Sequence, residues 1–171
     1  MAIQPPKGPT TQASRATVGS ITRKSSAVAS RAARFAGHRL DARYLAYFHS
    51  FNQQRFYEAH DLLEDLWLPD RNGPDGAFYK GLIQLARAFV LLQKNRLRPA
   101  DRVFQLAETN LRHYPDRHHS IELGGVRAIV TSWREKLWSE NFTVNPLGTA
   151  APPSLAGPDD GGGPRTRDSG D

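Results

Sequence analysis

Cysteine is absent from the 171 residues, which excludes disulfide bonds and thiolate chemistry. Any metal site is thereby left to histidine, carboxylate or backbone oxygen. Long apolar runs are absent too: no stretch approaches the roughly 18 consecutive apolar residues of a membrane-spanning helix, and the N-terminus lacks the apolar run of a secretory signal. These absences lead to the expectation of a cytoplasmic protein with no membrane partner. Acidic residues are missing from the first forty positions, which carry seven basic ones. Residues 41–145 hold fourteen basic and thirteen acidic side chains, and residues 146–171 hold two and four. The net charge of +6 therefore belongs to the N-terminal segment, and the centre of the chain is close to neutral. The basic set Lys94, Arg96, Arg98 and Arg102 has no interleaved aromatics for base stacking and is partly offset by Asp101, so it reads as a solvated face and nucleic acid is not expected to bind the central part.

With 39% hydrophobic residues, the chain has enough apolar material for one buried core. Residues 1–39 are rich in Ser, Thr, Ala and Pro and poor in large apolar groups, a composition that reads as a disordered basic tail. The same acid-free, Arg- and Ser-bearing composition is that of an organelle transit peptide, and Ala27 to Ala36 can form a short basic helix. Residues 141–171, with Pro-Pro, Gly-Gly-Gly and Asp-Asp, read as a second disordered tail.

Between the tails, residues 40–140 show helical apolar spacing throughout and no sustained strand-like alternation. The expected fold is all-α, a bundle of about five helices built from helical hairpins. The first helix, about Asp41 to Asn52, places Tyr44, Phe48 and Phe51 on one face. The second runs from Phe56 to Trp67 and stops before Pro69. The third, Ala77 to Lys94, is apolar on most sides, as the central helix of a domain is, except for a polar stripe of Lys80, Gln84, Arg87 and Lys94. The fourth begins with Pro99 at its first position and buries Ala100, Val103, Phe104, Ala107 and Leu111. The fifth carries Val126, Ile129, Val130, Trp133 and Leu137 at amphipathic spacing. Small residues at Ala88, Ala100 and Ala107 fit close helix-hairpin packing, although they do not recur at the period of a repeat protein.

On a helical wheel at about 100° per residue, Phe56, Ala59, Leu62, Leu63, Leu66 and Trp67 fill the buried arc of the second helix, while Glu58, Asp61 and Asp65 face water. His60 falls inside the edge of the apolar arc, and Glu64 lies one turn on at its border. A carboxylate at i+4 can orient the imidazole and favour its charged form. Such a pair can serve as a general base, as two ligands of a metal, or as a polar anchor for a ligand stacked on Trp67. It can equally be a satisfied contact at the rim of a core, with no third metal ligand marked beyond His49 or Gln84. His113, His118 and His119 cluster in a Pro-containing turn and read as a solvated loop.

Three segments carry a family resemblance: Phe51-Asn52, then Phe56 through Trp67, then Phe78-Tyr79-Lys80-Gly81-Leu82-Ile83-Gln84-Leu85-Ala86. The order of a His, three residues, a Glu, two residues, a Trp, then an aromatic-x-x-Gly-Leu-Ile-Gln segment resembles the bacterial and plastid family called domain of unknown function 309. The likeness spans about Tyr44 to Tyr114. Pro99 departs from it, standing where the family often has Gly. The resemblance implies a helical domain with a shared surface of His60, Glu64, Trp67, Gly81 and Gln84, and it carries a loose label of metal-dependent hydrolase.

Two functions follow from these readings. One is a pocket of His60, Glu64, Trp67 and Gln84 that binds a small polar ligand or a divalent metal ion, with His60 and Glu64 as the metal ligands. The other is a non-catalytic interaction or oligomerisation module, which would show an exposed apolar face. Whether the protein is an enzyme is not decided by its sequence.

Overall fold

Asp41 opens the first core helix by accepting the Arg43 backbone N–H at 2.8 Å, the bond an N-cap carboxylate makes. Helix α2 follows over Ala42–Asn52, α3 over Phe56–Trp67, α4 over Gly76–Gln93, α5 over Leu97–Leu111 and α6 over Leu123–Ser139, preceded by α1 over Arg23–Ala32. The computed structural model describes residues 23–159, and within them the fold is all-α apart from a minimal hairpin of β1, Arg117–His118, and β2, Ile121–Glu122.

Three helix ends close in the same way. The Arg55, Arg96 and Phe142 amides reach back to the Ser50, Leu91 and Leu137 carbonyls at 2.9, 2.8 and 2.9 Å. Each closure needs a left-handed residue just past the helix, supplied by Gln54, Asn95 and Asn141 at φ of 60°, 54° and 47°. These closures turn the chain sharply enough for α2 to pack on α3 and α4 on α5.

Phe89 of α4 sits at the centre of the core, with ring centroids of Phe56 at 4.8 Å, Phe51 at 5.4 Å, Phe104 at 5.2 Å and Trp133 at 4.8 Å. Gly81 lets α4 and α5 approach: a Cβ there would lie 2.6 Å from Leu111 Cγ. The Tyr47 hydroxyl, fully buried, donates to the Leu82 carbonyl at 2.8 Å and fixes α2 against α4.

Several expectations need correction. Helix α5 begins at Leu97, so Pro99 is its third residue; its missing N–H still falls among the first-turn donors that have no helical acceptor. Asp61, expected to face water, is 5% exposed, because α1 covers it. The expected basic tail contains that helix, whose Val28 and Ala32 pack on Ala46 and Leu62. Residues 145–159, assigned to the second tail, lie on the domain: Leu155 is buried, and its amide and carbonyl are both bonded by the Asn52 side chain, at 2.8 and 2.9 Å. The tail readings for residues 1–22 and 160–171 fall outside the described residues. Among the described residues no helix is long and apolar enough to cross a membrane.

Candidate functional site

Helix α3 sets His60 and Asp61 side by side. His60 Nδ1 lies 3.3 Å from Asp61 Oδ1, and the imidazole stacks on Tyr57 one turn earlier at 6.4 Å with an interplanar angle of 17°. Asp61, one residue on, takes the orienting role that spacing had given to Glu64. Lys24 of α1 explains why: its ammonium lies 3.0 Å from Asp61 Oδ1 and also donates to Glu64 Oε2. The Glu64 hydrogen bond outweighs desolvation and, with the Asp61 contacts, holds the Lys24 pKa above the ordinary lysine value. Ligand atoms of His60, Asp61 and Glu64 lie within 4.8 Å of one another.

Of the four residues expected to share a pocket, His60 and Glu64 lie close together, whereas Trp67 and Gln84 stand elsewhere. His60 borders a cleft of about 270 Å³ between α3 and α4, walled by Tyr57, Arg87, Val90, Leu91, Lys94 and Arg96. Trp67 lines a different cavity, of about 240 Å³, with Leu66, Asp70, Asp75 and Tyr79. Its indole Nε1 is buried without a hydrogen-bond partner among the described residues. The Gln84 Oε1 accepts the Asn110 amide at 2.7 Å and ties α4 to α5. Gly81 serves the same helix contact. Glu64 is engaged by Lys24 and lines neither cavity.

The α3–α4 cleft combines features that the sequence showed separately. Arg87 and Lys94 belong to the polar stripe of α4, seven residues apart, and Arg96 is the residue before α5. None of the three forms an ion pair among the described residues. Val90 and Leu91 form an apolar floor, and Tyr57, 60% exposed, forms a wall. Of the four-residue basic set, Lys94 and Arg96 join the cleft, whereas Arg98 lies over the Phe142 ring at 4.5 Å.

The histidine turn is not a solvated loop. His118 and His119 are partly buried and enclosed by aromatic rings: His119 stacks on Phe78 at 5.1 Å, and His118 meets Phe78 and Tyr114 at 4.8 Å each. Both histidines donate from Nε2 to Asp75, at 2.8 and 2.9 Å. Desolvation pushes the Asp75 carboxyl up, but the hydrogen bonds and charges of His119 and His118 win and hold it below the usual carboxylate range. His113, by contrast, is exposed and accepts a hydrogen bond from Arg112. Asp75 escaped the sequence reading because it lies in the Pro/Gly loop before α4, 43 residues from His118.

The second sequence reading, an interaction module, expects an exposed apolar face. Trp133 is 4% exposed and in the core, whereas Trp138 is 60% exposed. Trp138 is nonetheless fixed, its Nε1 donating to Asp101 Oδ1 at 3.2 Å and its ring set against Phe142 at 5.0 Å.

Comparison with known proteins places the resemblance on the same helices. Residues 44–103 match domain of unknown function 309, from within α2 to within α5. The chain is 30% identical over 80 residues to a protein of Aquifex aeolicus (strain VF5) described as an uncharacterized protein. That alignment covers 47% of this chain and 24% of the relative, so this chain spans about a quarter of the relative's length. No solved structure matches.

Proposed function

With residues 44–103 matching domain of unknown function 309, we propose that the protein binds a small anionic ligand, phosphate- or carboxylate-bearing, in the α3–α4 cleft beside His60. The observation that carries this reading is the convergence of Arg87, Lys94 and Arg96, none of them ion-paired among the described residues, on one cleft with an apolar floor. Unpaired cations over a low-dielectric surface attract an anion more strongly than the same charges spread over open water would. The volume of about 270 Å³ suits a small molecule, with Tyr57, Val90 and Leu91 offering contact to its apolar part.

His60 supplies a polar group on the opposite wall. Asp61 engages Nδ1, which leaves Nε2 as the nitrogen open to a ligand. The arrangement can hold an anion or pass a proton at Nε2. Lys24 keeps Asp61 and Glu64 paired, so the acidic side of α3 does not oppose an anion in the cleft.

The test is thermal unfolding of the full chain against inorganic phosphate, pyrophosphate and a dicarboxylate. At least one should raise the melting temperature in a saturable way, and Arg87→Gln with Arg96→Gln should abolish the shift. Shifts of equal size in wild type and variant would refute the cleft. A shift seen with divalent cations alone, and removed by His60→Ala, would instead favour the metal reading of His60, Asp61 and Glu64.

A further inference from the structure

Asp75 stands at the N-cap of α4, yet its side chain caps nothing. An aspartate there ordinarily accepts a backbone N–H of the first turn. Here both oxygens are turned to histidines instead, Oδ1 to His118 Nε2 at 2.8 Å and Oδ2 to His119 Nε2 at 2.9 Å. Neighbouring residues on a regular strand point to opposite faces, so two successive histidines do not normally reach one carboxylate. The chain achieves it by placing His119 and Ser120 at φ of 45° and 62°, two consecutive left-handed residues with no glycine. Such backbone carries a cost for residues with a Cβ, and it persists only where its surroundings hold it. The Tyr44 hydroxyl does so, donating to the His119 carbonyl at 3.0 Å, and the Tyr114 hydroxyl donates to the Pro74 carbonyl at 2.9 Å beside Asp75.

We infer that Asp75, His118 and His119 form a binding site for a divalent transition-metal ion of the zinc type. Two imidazole nitrogens and one carboxylate are the donors such ions prefer, and three protein ligands leave coordination positions for water or a small ligand. The ligand atoms already lie within 4.8 Å of one another. Loading an ion displaces the two Nε2 hydrogens, to Nδ1 or to solvent, and requires the N···O separations to widen by roughly half an ångström, to the spacing of neighbouring donors on a tetrahedral ion. Rotation of the Asp75 side chain can supply that change.

A second, independent feature points to a ligand at the same place. Asp75 forms part of the wall of the 240 Å³ cavity that Trp67 and Tyr79 also line. Trp67 Nε1 has no partner among the described residues, although a buried N–H donor ordinarily has one. An ion held by Asp75 would carry its remaining ligands on the cavity side, where the indole N–H can donate to an oxygen. The site is separate from the His60 cleft and does not depend on it.

The experiment uses the full chain, stripped with a chelator and titrated with Zn²⁺ by calorimetry and with Co²⁺ by visible absorption. One ion per chain should bind, with the intense visible bands of a low-coordinate Co²⁺ site. Asp75→Asn, His118→Gln and His119→Gln should each weaken binding by about tenfold or more, at least what losing an outer-shell partner costs. His113→Ala and His60→Ala should leave it unchanged. Binding that survives the Asp75 and histidine substitutions, or that disappears with His60→Ala alone, would overturn the site. So would an unaltered melting temperature and no Co²⁺ bands in the wild-type chain, a readout that needs no variant to fold.

Discussion

The ammonium of Lys24 lies 3.0 Å from Asp61 Oδ1 and also binds Glu64, so a residue from the basic N-terminal stretch is what allows Asp61 to be buried on α3. An unpaired carboxylate at 5% exposure would be costly. Helix α1 is thus part of the domain's packing. Removing residues 1–39 should lower the melting temperature by several degrees, and Val28→Ala should cost about 1–2 kcal/mol, the low end for truncating a buried aliphatic side chain. Circular dichroism melts check both. Identical melts for the full and shortened chains would show that α1 contributes nothing.

The contact between Gly81 and Leu111 yields a double-mutant test. A Cβ at position 81 would fall 2.6 Å from Leu111 Cγ, so Gly81→Ala should cost about 1–3 kcal/mol by overpacking. In a Leu111→Ala background the clash is gone, and the same substitution should be close to neutral. Urea unfolding of the four proteins measures the coupling. Equal costs in both backgrounds would mean that the helices are not apposed at this point.

Much of the fold was legible because apolar periodicity is a local signal. The boundaries of α3, Phe56–Trp67, follow from its apolar spacing and from Pro69 beyond it. What escaped was set by partners distant in sequence. Asp61 reads as a water-facing carboxylate until α1 is laid over it, and nothing within α3 announces Lys24. Leu155 reads as a lone apolar residue in a Pro-rich tail, yet Asn52, 103 positions away, bonds its backbone on both sides. At the site, His60 was legible from its place on the wheel. Its companions Tyr57, Arg87, Lys94 and Arg96 were legible only as separate stripes, since the packing of α3 on α4 is what joins them.

The tyrosines should report on the fold at high pH. Burial, followed by the nearby Asp75 and Asp41 charges, pushes the Tyr79 phenol up from 10.0 to about 12. Burial raises Tyr44 and Tyr47 as well. A raised folded-state value means that this contribution is intact below the unfolded pKa of 10.0 and is lost as pH rises from there through about 12. The phenolate absorbance of the folded chain should therefore titrate at higher pH than that of the urea-unfolded chain. Tyr79→Phe should reduce the difference, and coincident curves would place these rings in water.

Binding at the His60 cleft is examined most directly by following the histidine ring resonances in NMR while pyrophosphate is added to the full chain. The His60 signals should move along a saturable curve while those of His113 stay fixed. The movement should vanish in the Arg87→Gln, Arg96→Gln double variant, whose spectrum should otherwise match that of the wild-type chain. His60 resonances that remain in place at saturating pyrophosphate, or that move equally in the double variant, would contradict an anion-binding cleft between α3 and α4.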